Sequence, residues 1–254
     1  MPFATAAGRR IEYEHIAVGG ARRPTLVFLH EGLGSVAMWR DFPGRLAHAT
    51  GCDAIVYSRY SYGNSTPLAA PHGVRYMHDE ALVALPELLD AWRIERPLLV
   101  GHSDGASIAL IHAGGSGRAV AGLVLLSPHV LVEDISVASI AAAKVAYATT
   151  DLRAKLARHH ADVDSAFRGW NDVWLHPDFR AWNIEDYLPR VTCPVLALQG
   201  ADDEYGTMDQ LARIGKGVAD AELVELSDCR HSPHRDQPGT VIGIVTRFVD
   251  RITA

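Results

Sequence analysis

Short, unbroken runs of apolar residues recur along the chain, and segments with a helical spacing of apolar positions separate them. Unbroken Val, Leu and Ile runs are typical of strands buried on both faces, as in a parallel sheet. Strands that alternate with helices predict an α/β protein with right-handed crossovers and helices on both faces of a mostly parallel central sheet. The predicted strands are 25–29, 52–58, 96–102, 120–128, 193–200 and 221–228, preceded by two short strands around 6–10.

One long stretch, residues 130–188, breaks this alternation because it contains helix-like sequence rich in Ala, charge and Trp but no apolar strand. Such an insertion between two core strands predicts a helical lid over a core made of residues 1–129 and 189–254. Ligands of open α/β sheets bind at the carboxyl ends of the strands, which is where a lid would cover them.

The segment 101–105 reads Gly-His-Ser-Asp-Gly and lies directly between a predicted strand and a predicted helix. A serine in a sharp strand-to-helix turn has a strained backbone and projects its hydroxyl above the sheet. Neighbouring chains crowd such a turn, and Gly101 and Gly105 leave the necessary space. The pattern therefore predicts Ser103 as a nucleophile, the alternative being a glycine-rich turn without chemistry.

A serine nucleophile needs a base to accept its proton, and the base needs an acid to orient it. In this arrangement the order along the chain is serine, acid, histidine. Acidic side chains follow the strand that ends at Gly200, and histidines follow the last strand. The candidates are Asp202, Asp203 and Glu204 for the acid, and His231 and His234 for the base.

Together these segments resemble the serine hydrolases of the α/β-hydrolase fold, and the resemblance covers essentially the whole chain. In that family the acid usually lies three residues after the glycine that ends its strand, which selects Asp203. The family's histidine lies in a Gly-His-Ser-like loop, which selects His231, with Arg230 where glycine is commoner. Asp202 and His234 are then each expected to be solvated or to cap the neighbouring helix, with Asp202 the better candidate for a cap.

A second motif, FLHEGLGS at 28–35, resembles the family's His-Gly loop, which supplies a main-chain donor to the oxyanion. The resemblance assigns this role to the N–H of Gly32, with Leu33 as the alternative, and makes the N–H of Asp104 the second donor. The chain departs from the family at Glu31, which separates the histidine from the glycine. The loop at 58–65 resembles the family's loop that supports this oxyanion loop.

The side chain of Asp104 has two interpretations. A carboxylate in the first turn of a helix is stabilised by the helix dipole, by up to about 1 kcal/mol. Alternatively, the elbow is similar to the Gly-x-Ser-Asp-Gly-Gly elbow of the valacyclovir hydrolase branch, whose aspartate receives the α-amino group of an amino-acyl ester. That resemblance implies a substrate with a nearby ammonium group, and Glu31 would add to this preference if it faced the same cavity.

Aromatic residues concentrate in the lid region, where Phe167, Trp170 and Trp174 share one helix face. This face is expected to pack the lid on the core, and Trp170 and Trp174, together with Leu33, are candidate substrate contacts. His159 and His160 lack further ligands at metal-binding spacing and predict a solvated helix end. No metal and no nucleotide or other cofactor is expected, since no corresponding motif is present.

Charge and cysteine content narrow the choice of partner and compartment. The 254 residues carry a net charge of −6 without any basic run, which argues against nucleic acid and anionic membranes as partners. The three cysteines lie far apart without CxxC spacing, and the N-terminus lacks the apolar stretch of a signal peptide. A cytoplasmic protein acting on a small molecule is expected, and the oligomeric state is left open.

These observations predict a cofactor-free serine hydrolase that cleaves a small carboxylic ester, amide or amino-acyl ester through an acyl-serine intermediate. The same three side chains serve C–C bond, lactone and thioester hydrolysis in this fold, so these reactions are alternatives. A non-catalytic ligand-binding protein on the same scaffold is the alternative from another class.

Overall fold

The computed structural model describes residues 1–19 and 23–254, which contain one eight-stranded sheet. Each predicted apolar run contains a strand within its bounds, so the predicted α/β pattern is confirmed. The strands are β1 (Phe3–Ala6), β2 (Arg9–Ile16), β3 (Leu26–Leu29), β4 (Ala54–Tyr57), β5 (Leu98–His102), β6 (Gly122–Leu126), β7 (Val195–Gly200) and β8 (Ala221–Leu226). Their order in the sheet is β1-β2-β4-β3-β5-β6-β7-β8, and only the pairs β1–β2 and β2–β4 are antiparallel.

Helices follow or link most of the strands, and a π-helical turn, Glu80–Ala84, joins the helices Tyr76–Asp79 and Leu85–Trp92 into one continuous helix. The α-helices are α1 (Phe42–Thr50), α2 (Tyr76–Asp79), α3 (Leu85–Trp92), α4 (Asp104–Gly115), α5 (Asp134–Thr149), α6 (Leu152–Leu156), α7 (Val163–Trp174), α8 (Asp209–Gly217), α9 (Pro233–Asp236) and α10 (Pro238–Thr253). The 3-10 helices are Val36–Trp39, Pro177–Ala181 and Glu185–Arg190.

The sheet separates two hydrophobic cores because successive side chains of a strand point to opposite faces. In β5, Leu99 belongs to the core shared with α3 and α4, whereas Leu98 and Val100 belong to the core shared with α1 and α10. Full burial of one such side chain contributes about 1.5–3 kcal/mol. Both faces of the central strands are therefore covered, as their unbroken apolar sequences require.

Residues 131–190 contribute helices but no strand to the sheet. The segment leaves and rejoins the core at one place, where Leu131 pairs with Asn183 and the N–H of Ile184 donates to the carbonyl of Val130 at 2.8 Å. Its helix α7 buries an apolar face that includes Phe167. No helix in the described part of the chain is both long and apolar enough to cross a membrane.

The turn between β5 and α4 is packed directly against the end of β3. A Cβ atom added at Gly105 would lie 2.0 Å from the carbonyl oxygen of Leu29, far inside van der Waals contact. The first turn of α4 therefore has room for hydrogen only, which is why glycine occupies this position.

We expect Gly105→Ala to destabilise the fold by about 1–3 kcal/mol or more, because the added methyl group must push main chain apart. The matched control is Gly44→Ala in α1, where no atom lies within 4 Å of the added Cβ. That change should be neutral or stabilising by up to about 1 kcal/mol, since alanine favours a helix. Urea unfolding of both variants tests this, and equal stabilities would contradict the close approach at the elbow.

Candidate active site

A pocket of about 170 Å³ lies at the carboxyl ends of the central strands. Loops of the core and helices α5 and α7 both contribute to its walls. The lining residues are Glu31, Gly32, Leu33, His102, Ser103, His129, Ser136, Ile140, Trp170, Trp174, Glu204, Tyr205, His231 and Ser232. All but two of the site residues predicted from the sequence are in this set; Asp104 and Asp203 lie behind it.

Ser103 occupies the turn between β5 and α4 with φ of 53° and ψ of −116°, a conformation that a non-glycine residue adopts only under strain of about 1–3 kcal/mol. Its N–H donates to the carbonyl of Leu126 at 2.9 Å, which ties the turn to β6. A Cβ at Gly101 would lie 2.4 Å from the carbonyl oxygen of Gly105. The crowding expected on both sides of the serine is therefore present, and its hydroxyl is left facing the pocket.

Asp203 and His231 are joined by a hydrogen bond of 2.8 Å from Nδ1 of the ring to Oδ1 of the carboxylate. The N–H of Tyr205 donates to the same oxygen at 2.8 Å. Burial alone would raise the pKa of Asp203, but the His231 ring and this N–H hold it below its ordinary value. The loop that follows β7 and the loop that follows β8 meet at Gly200, where a Cβ would lie 2.0 Å from the carbonyl oxygen of Cys229.

The other candidates for acid and base do not form a carboxylate–histidine pair of this kind. Asp202 is exposed, and its N–H donates to the carbonyl of Cys229. His234 is buried, not solvated, with its ring centroid 4.8 Å from that of Trp39. Glu204 accepts the main-chain N–H of His231 at 3.2 Å. The only one of these carboxylates bonded to a histidine ring is that of Asp203.

The remaining ring nitrogen of His231, Nε2, is free for the pocket because Nδ1 faces Asp203. Ser103 and His231 line the same cavity, and no hydrogen bond joins the two side chains in this structure. Contacts of this kind are often long in enzymes without substrate and shorten in the complex.

The loop that follows β3 is held by side chains from two directions. The His30 ring accepts the N–H of Arg59 at Nε2, 3.0 Å away, and donates from Nδ1 to the carbonyl of Glu31. The Arg59 guanidinium donates to that same carbonyl at 2.9 Å. The loop at 58–65 thus holds the loop that follows β3 through Arg59. On the other side, a Cβ at Gly32 would meet the Trp170 indole nitrogen at 2.1 Å, so only glycine fits beneath α7.

His160 takes part in this support, and its interpretation as a solvated helix end was wrong. The side chain is buried, accepts the N–H of Gly63 at 3.0 Å and donates from Nε2 to the carbonyl of Leu33 at 3.0 Å. It therefore links the helical segment 131–190 to the loop that follows β3. In residues 1–19 and 23–254, no three His, Cys, Asp or Glu side chains are grouped as they would be to hold a metal ion.

The carboxylate of Asp104 lies behind the pocket, fully buried, and does not line it. Tyr76 donates to it at 2.6 Å, the Trp174 indole donates at 3.3 Å, and the Arg59 guanidinium is 3.6 Å away. Burial raises the pKa of Asp104, and these three partners oppose that shift. The expectation that this carboxylate faces substrate is not met, because its oxygens already contact protein groups. Stabilisation by the helix dipole is also an incomplete account of this carboxylate, because it pairs with the buried Arg59 guanidinium.

The main-chain N–H of Asp104 is a separate feature, because it belongs to the first turn of α4. The first N–H groups of a helix have no acceptor within the helix. Together with the positive end of the helix dipole, they provide a site for negative charge beside Ser103.

Glu31 lines the pocket, but its carboxylate is directed to the side chains of Arg235 and His102. One oxygen is 3.5 Å from the Arg235 guanidinium and the other is 3.5 Å from Nδ1 of His102. Burial alone would raise the pKa of Glu31, yet His102 and Arg235 hold it well below its usual range. The carboxylate is therefore ionised.

His129 is a pocket residue that the sequence analysis did not identify. It follows β6 by three positions, packs edge-on against Trp174 at 5.5 Å between ring centroids, and lies 5.7 Å from the His231 ring. Burial, and then the nearby His231, lower the pKa of His129 to about 3, so its ring is uncharged. Its position after a strand was the available signal. The other pocket residues that the sequence analysis did not identify are His102, Ser136, Ile140, Tyr205 and Ser232.

Comparison with protein families matches residues 26–244 to the alpha/beta hydrolase family. The chain belongs to this family. The hydrolase fold predicted from the sequence is confirmed, and the protein is an alpha/beta hydrolase. The sequence has no match among curated proteins.

Solved structures of other hydrolases resemble this alpha/beta hydrolase over nearly its whole length. The enol-lactonase from Burkholderia xenovorans LB400 has a TM-score of 0.78 and 18% identity, over 98% of this chain and 100% of its own. A carboxylesterase structure from Nitrososphaera gargenis has a TM-score of 0.80 and 20% identity, over 99% of both chains. The meta-cleavage product hydrolase from Pseudomonas fluorescens IP01 has a TM-score of 0.73 and 16% identity, over 99% of this chain and 98% of its own. At these identities the likeness establishes the shared fold.

We expect Asp104→Ala to destabilise this hydrolase by about 3–5 kcal/mol, because it leaves the buried Arg59 guanidinium without its carboxylate. The control is Asp178→Ala, which removes a carboxylate with 78% exposure that lies 3.8 Å from His176. That loss should stay within about 0.5 kcal/mol. Chemical denaturation of both variants is the measurement, and a small effect at Asp104 would show that the buried pair does not stabilise the fold.

Proposed function

We propose that the protein is a serine hydrolase that cleaves a small carboxylic ester through a covalent acyl-Ser103 intermediate. The observation that carries this proposal is the shared pocket: a strained serine at the elbow faces the same cavity as a histidine, and that histidine is bonded to a buried aspartate. A glycine-rich turn without chemistry would not require these partners.

In the proposed reaction, the Ser103 hydroxyl attacks the ester carbonyl while Nε2 of His231 accepts its proton. Asp203 keeps the ring in the tautomer with Nδ1 protonated and stabilises the imidazolium that forms. His231 then gives the proton to the leaving alcohol, and a water molecule repeats the sequence on the acyl-enzyme. The oxyanion is stabilised by main-chain N–H groups of Asp104 and Gly32, with Leu33 as the alternative to Gly32; one such donor is typically worth about 10²–10³ in kcat.

We further propose that residues 130–188 act as the lid of a core formed by 1–129 and 189–254. Helix α5 supplies Ile140 to the pocket, and α7 supplies Trp170 and Trp174. Apolar walls on the lid side would exclude water from the acyl-enzyme except for the molecule that reacts.

The pocket favours a small, uncharged substrate. Its walls are largely aromatic and aliphatic, no Lys or Arg is among the lining residues, and Glu31 and Glu204 both border it. A carboxylate on the substrate would meet the carboxylates of Glu31 and Glu204, and none of the described lining residues is a Lys or Arg that could pair with it. Recognition of an ammonium group by Asp104 is not favoured, because that carboxylate already contacts three protein groups. Lactones are cyclic esters and belong to the same class of candidates.

Fluorophosphonate labelling tests the nucleophile. We expect wild type to gain one phosphonyl adduct by intact mass and Ser103→Ala to gain none, because only a serine activated by a base reacts readily. The two proteins should have nearly the same thermal unfolding curve, because Ser103→Ala removes only a hydroxyl group. Absence of adduct on folded wild type would favour the ligand-binding alternative.

A panel of matched p-nitrophenyl esters tests the charge preference. We expect an uncharged acyl group to exceed an isosteric carboxylate-bearing one by at least about 10-fold in kcat/KM, a difference of about 1.4 kcal/mol. Glu204→Gln should narrow this ratio, because it removes one negative group from the pocket border. Equal rates for both esters would contradict the assignment of an uncharged substrate.

A further inference from the structure

Glu31 departs from the His-Gly pattern of the oxyanion loop, and the proposed reaction gives it no role. We propose that Glu31 and His102 form a second carboxylate–histidine pair, which positions the loop of His231 for proton transfer. Both are positioning residues that act through His231, and the inference rests on the function proposed above.

His102 immediately precedes Ser103 and is the last residue of β5, with only 1% of its surface exposed. Its Nε2 lies 2.7 Å from the main-chain carbonyl oxygen of His231. A carbonyl oxygen can only accept a hydrogen bond, so Nε2 carries a proton and donates. The residue next to the nucleophile thereby holds the main chain of the base.

The other nitrogen, Nδ1, faces Oε2 of Glu31 at 3.5 Å, which is an ion-pairing distance although longer than a good hydrogen bond. The Glu31 carboxylate is ionised, and the His102 ring lies between it and the His231 carbonyl. The ring therefore joins the loop that follows β3 to the main chain of the base.

Three other rings surround His102. The ring of His234 is 4.7 Å from it, the ring of His231 is 5.2 Å away, and Trp39 is 6.3 Å away. Burial and the nearby His102 hold the pKa of His234 well below its usual range, so that ring is neutral. Glu31 is the carboxylate within ion-pairing distance of His102.

The Glu31 carboxylate also reaches the second half of the base loop. Its Oε1 is 3.5 Å from Arg235 on α9, and Arg235 in turn donates to the carbonyl of Met38 at 3.0 Å. The main-chain carbonyl of Glu31 is fixed by Arg59 at 2.9 Å. One carboxylate therefore connects the oxyanion loop, the elbow and the loop of His231, which are the three segments whose relative placement sets the reaction geometry.

The test compares Glu31→Gln, His102→Leu, His102→Gln and the double variant Glu31→Gln/His102→Leu. The readouts are p-nitrophenyl acetate hydrolysis and the second-order rate of fluorophosphonate labelling. We expect His102→Leu to lower kcat and the labelling rate by about 10–100-fold with KM within about threefold, because misplacement of a base by 1 Å costs about this much. His102→Gln keeps a donor and should recover at least about threefold of that loss.

Coupling between the two positions is the decisive result. Glu31→Gln alone should lower kcat by about 10-fold, yet by less than about twofold in the His102→Leu background, because its partner is already gone. Full additivity would overturn the pair. A kcat within twofold of wild type in both single variants would overturn the positioning role.

Controls separate this inference from misfolding and from failure of the proposed function. His112 is another fully buried histidine, bonded through Nδ1 to the carbonyl of Ala81 at 2.8 Å and outside the pocket lining. His112→Leu and His112→Gln should lower stability but not kcat, and an equal loss of kcat there would overturn a specific role for His102. Wild type that fails to label would refute the serine hydrolase itself, whereas labelled wild type with unaffected variants would refute only the pair. If wild type does not hydrolyse p-nitrophenyl acetate, the variants are compared by their labelling rates alone.

Discussion

The contact between the first turn of α4 and the end of β3 is the constraint on which the site depends. Hydrogen alone fits between Gly105 and the carbonyl of Leu29, so the turn at Ser103 and the loop that follows β3 are placed by one main-chain approach. The positive φ of Ser103 is maintained because strands on both sides surround it. A second close approach, between Gly200 and the carbonyl of Cys229, joins the loops of the acid and the base in the same way. Close main-chain packing therefore sets the geometry before any side chain contributes.

Buried charged side chains then hold the loops whose positions main-chain packing alone does not determine. Arg59 reaches from one loop to the carboxylate of Asp104 and to the carbonyl of Glu31, so a single guanidinium braces the elbow and the oxyanion loop. An unpaired charge in such a place would be strongly destabilising, which makes the set of partners mutually dependent. The opposite directions of the pKa changes follow from this arrangement: burial raises the pKa of Asp104, whereas at Glu31 the contacts with His102 and Arg235 together outweigh burial.

Local signals in the sequence were sufficient for the strands, the elbow and the acid and base candidates, because apolar runs and glycine positions report burial and crowding directly. The directions of polar side chains were not accessible, since their partners are distant in sequence. His160 bonds to Gly63, 97 residues away, and Asp104 turns from the pocket toward Tyr76, 28 residues away. Periodicity shows that a residue is buried but not which group satisfies it. The roles of Glu31 and His129 depend on such partners and emerged only from the folded chain.

The pairing of Leu131 with Asn183 brings the two ends of the helical segment together at the edge of the core. No strand lies between residues 131 and 183, so the register of the sheet does not depend on the length of this segment. The walls of the pocket therefore come from two parts of the chain: Ser103 and His231 follow strands of the sheet, whereas Ile140, Trp170 and Trp174 belong to the helical segment. Substitutions at the lining positions of that segment can reshape one wall of the pocket while the strands keep their pairing.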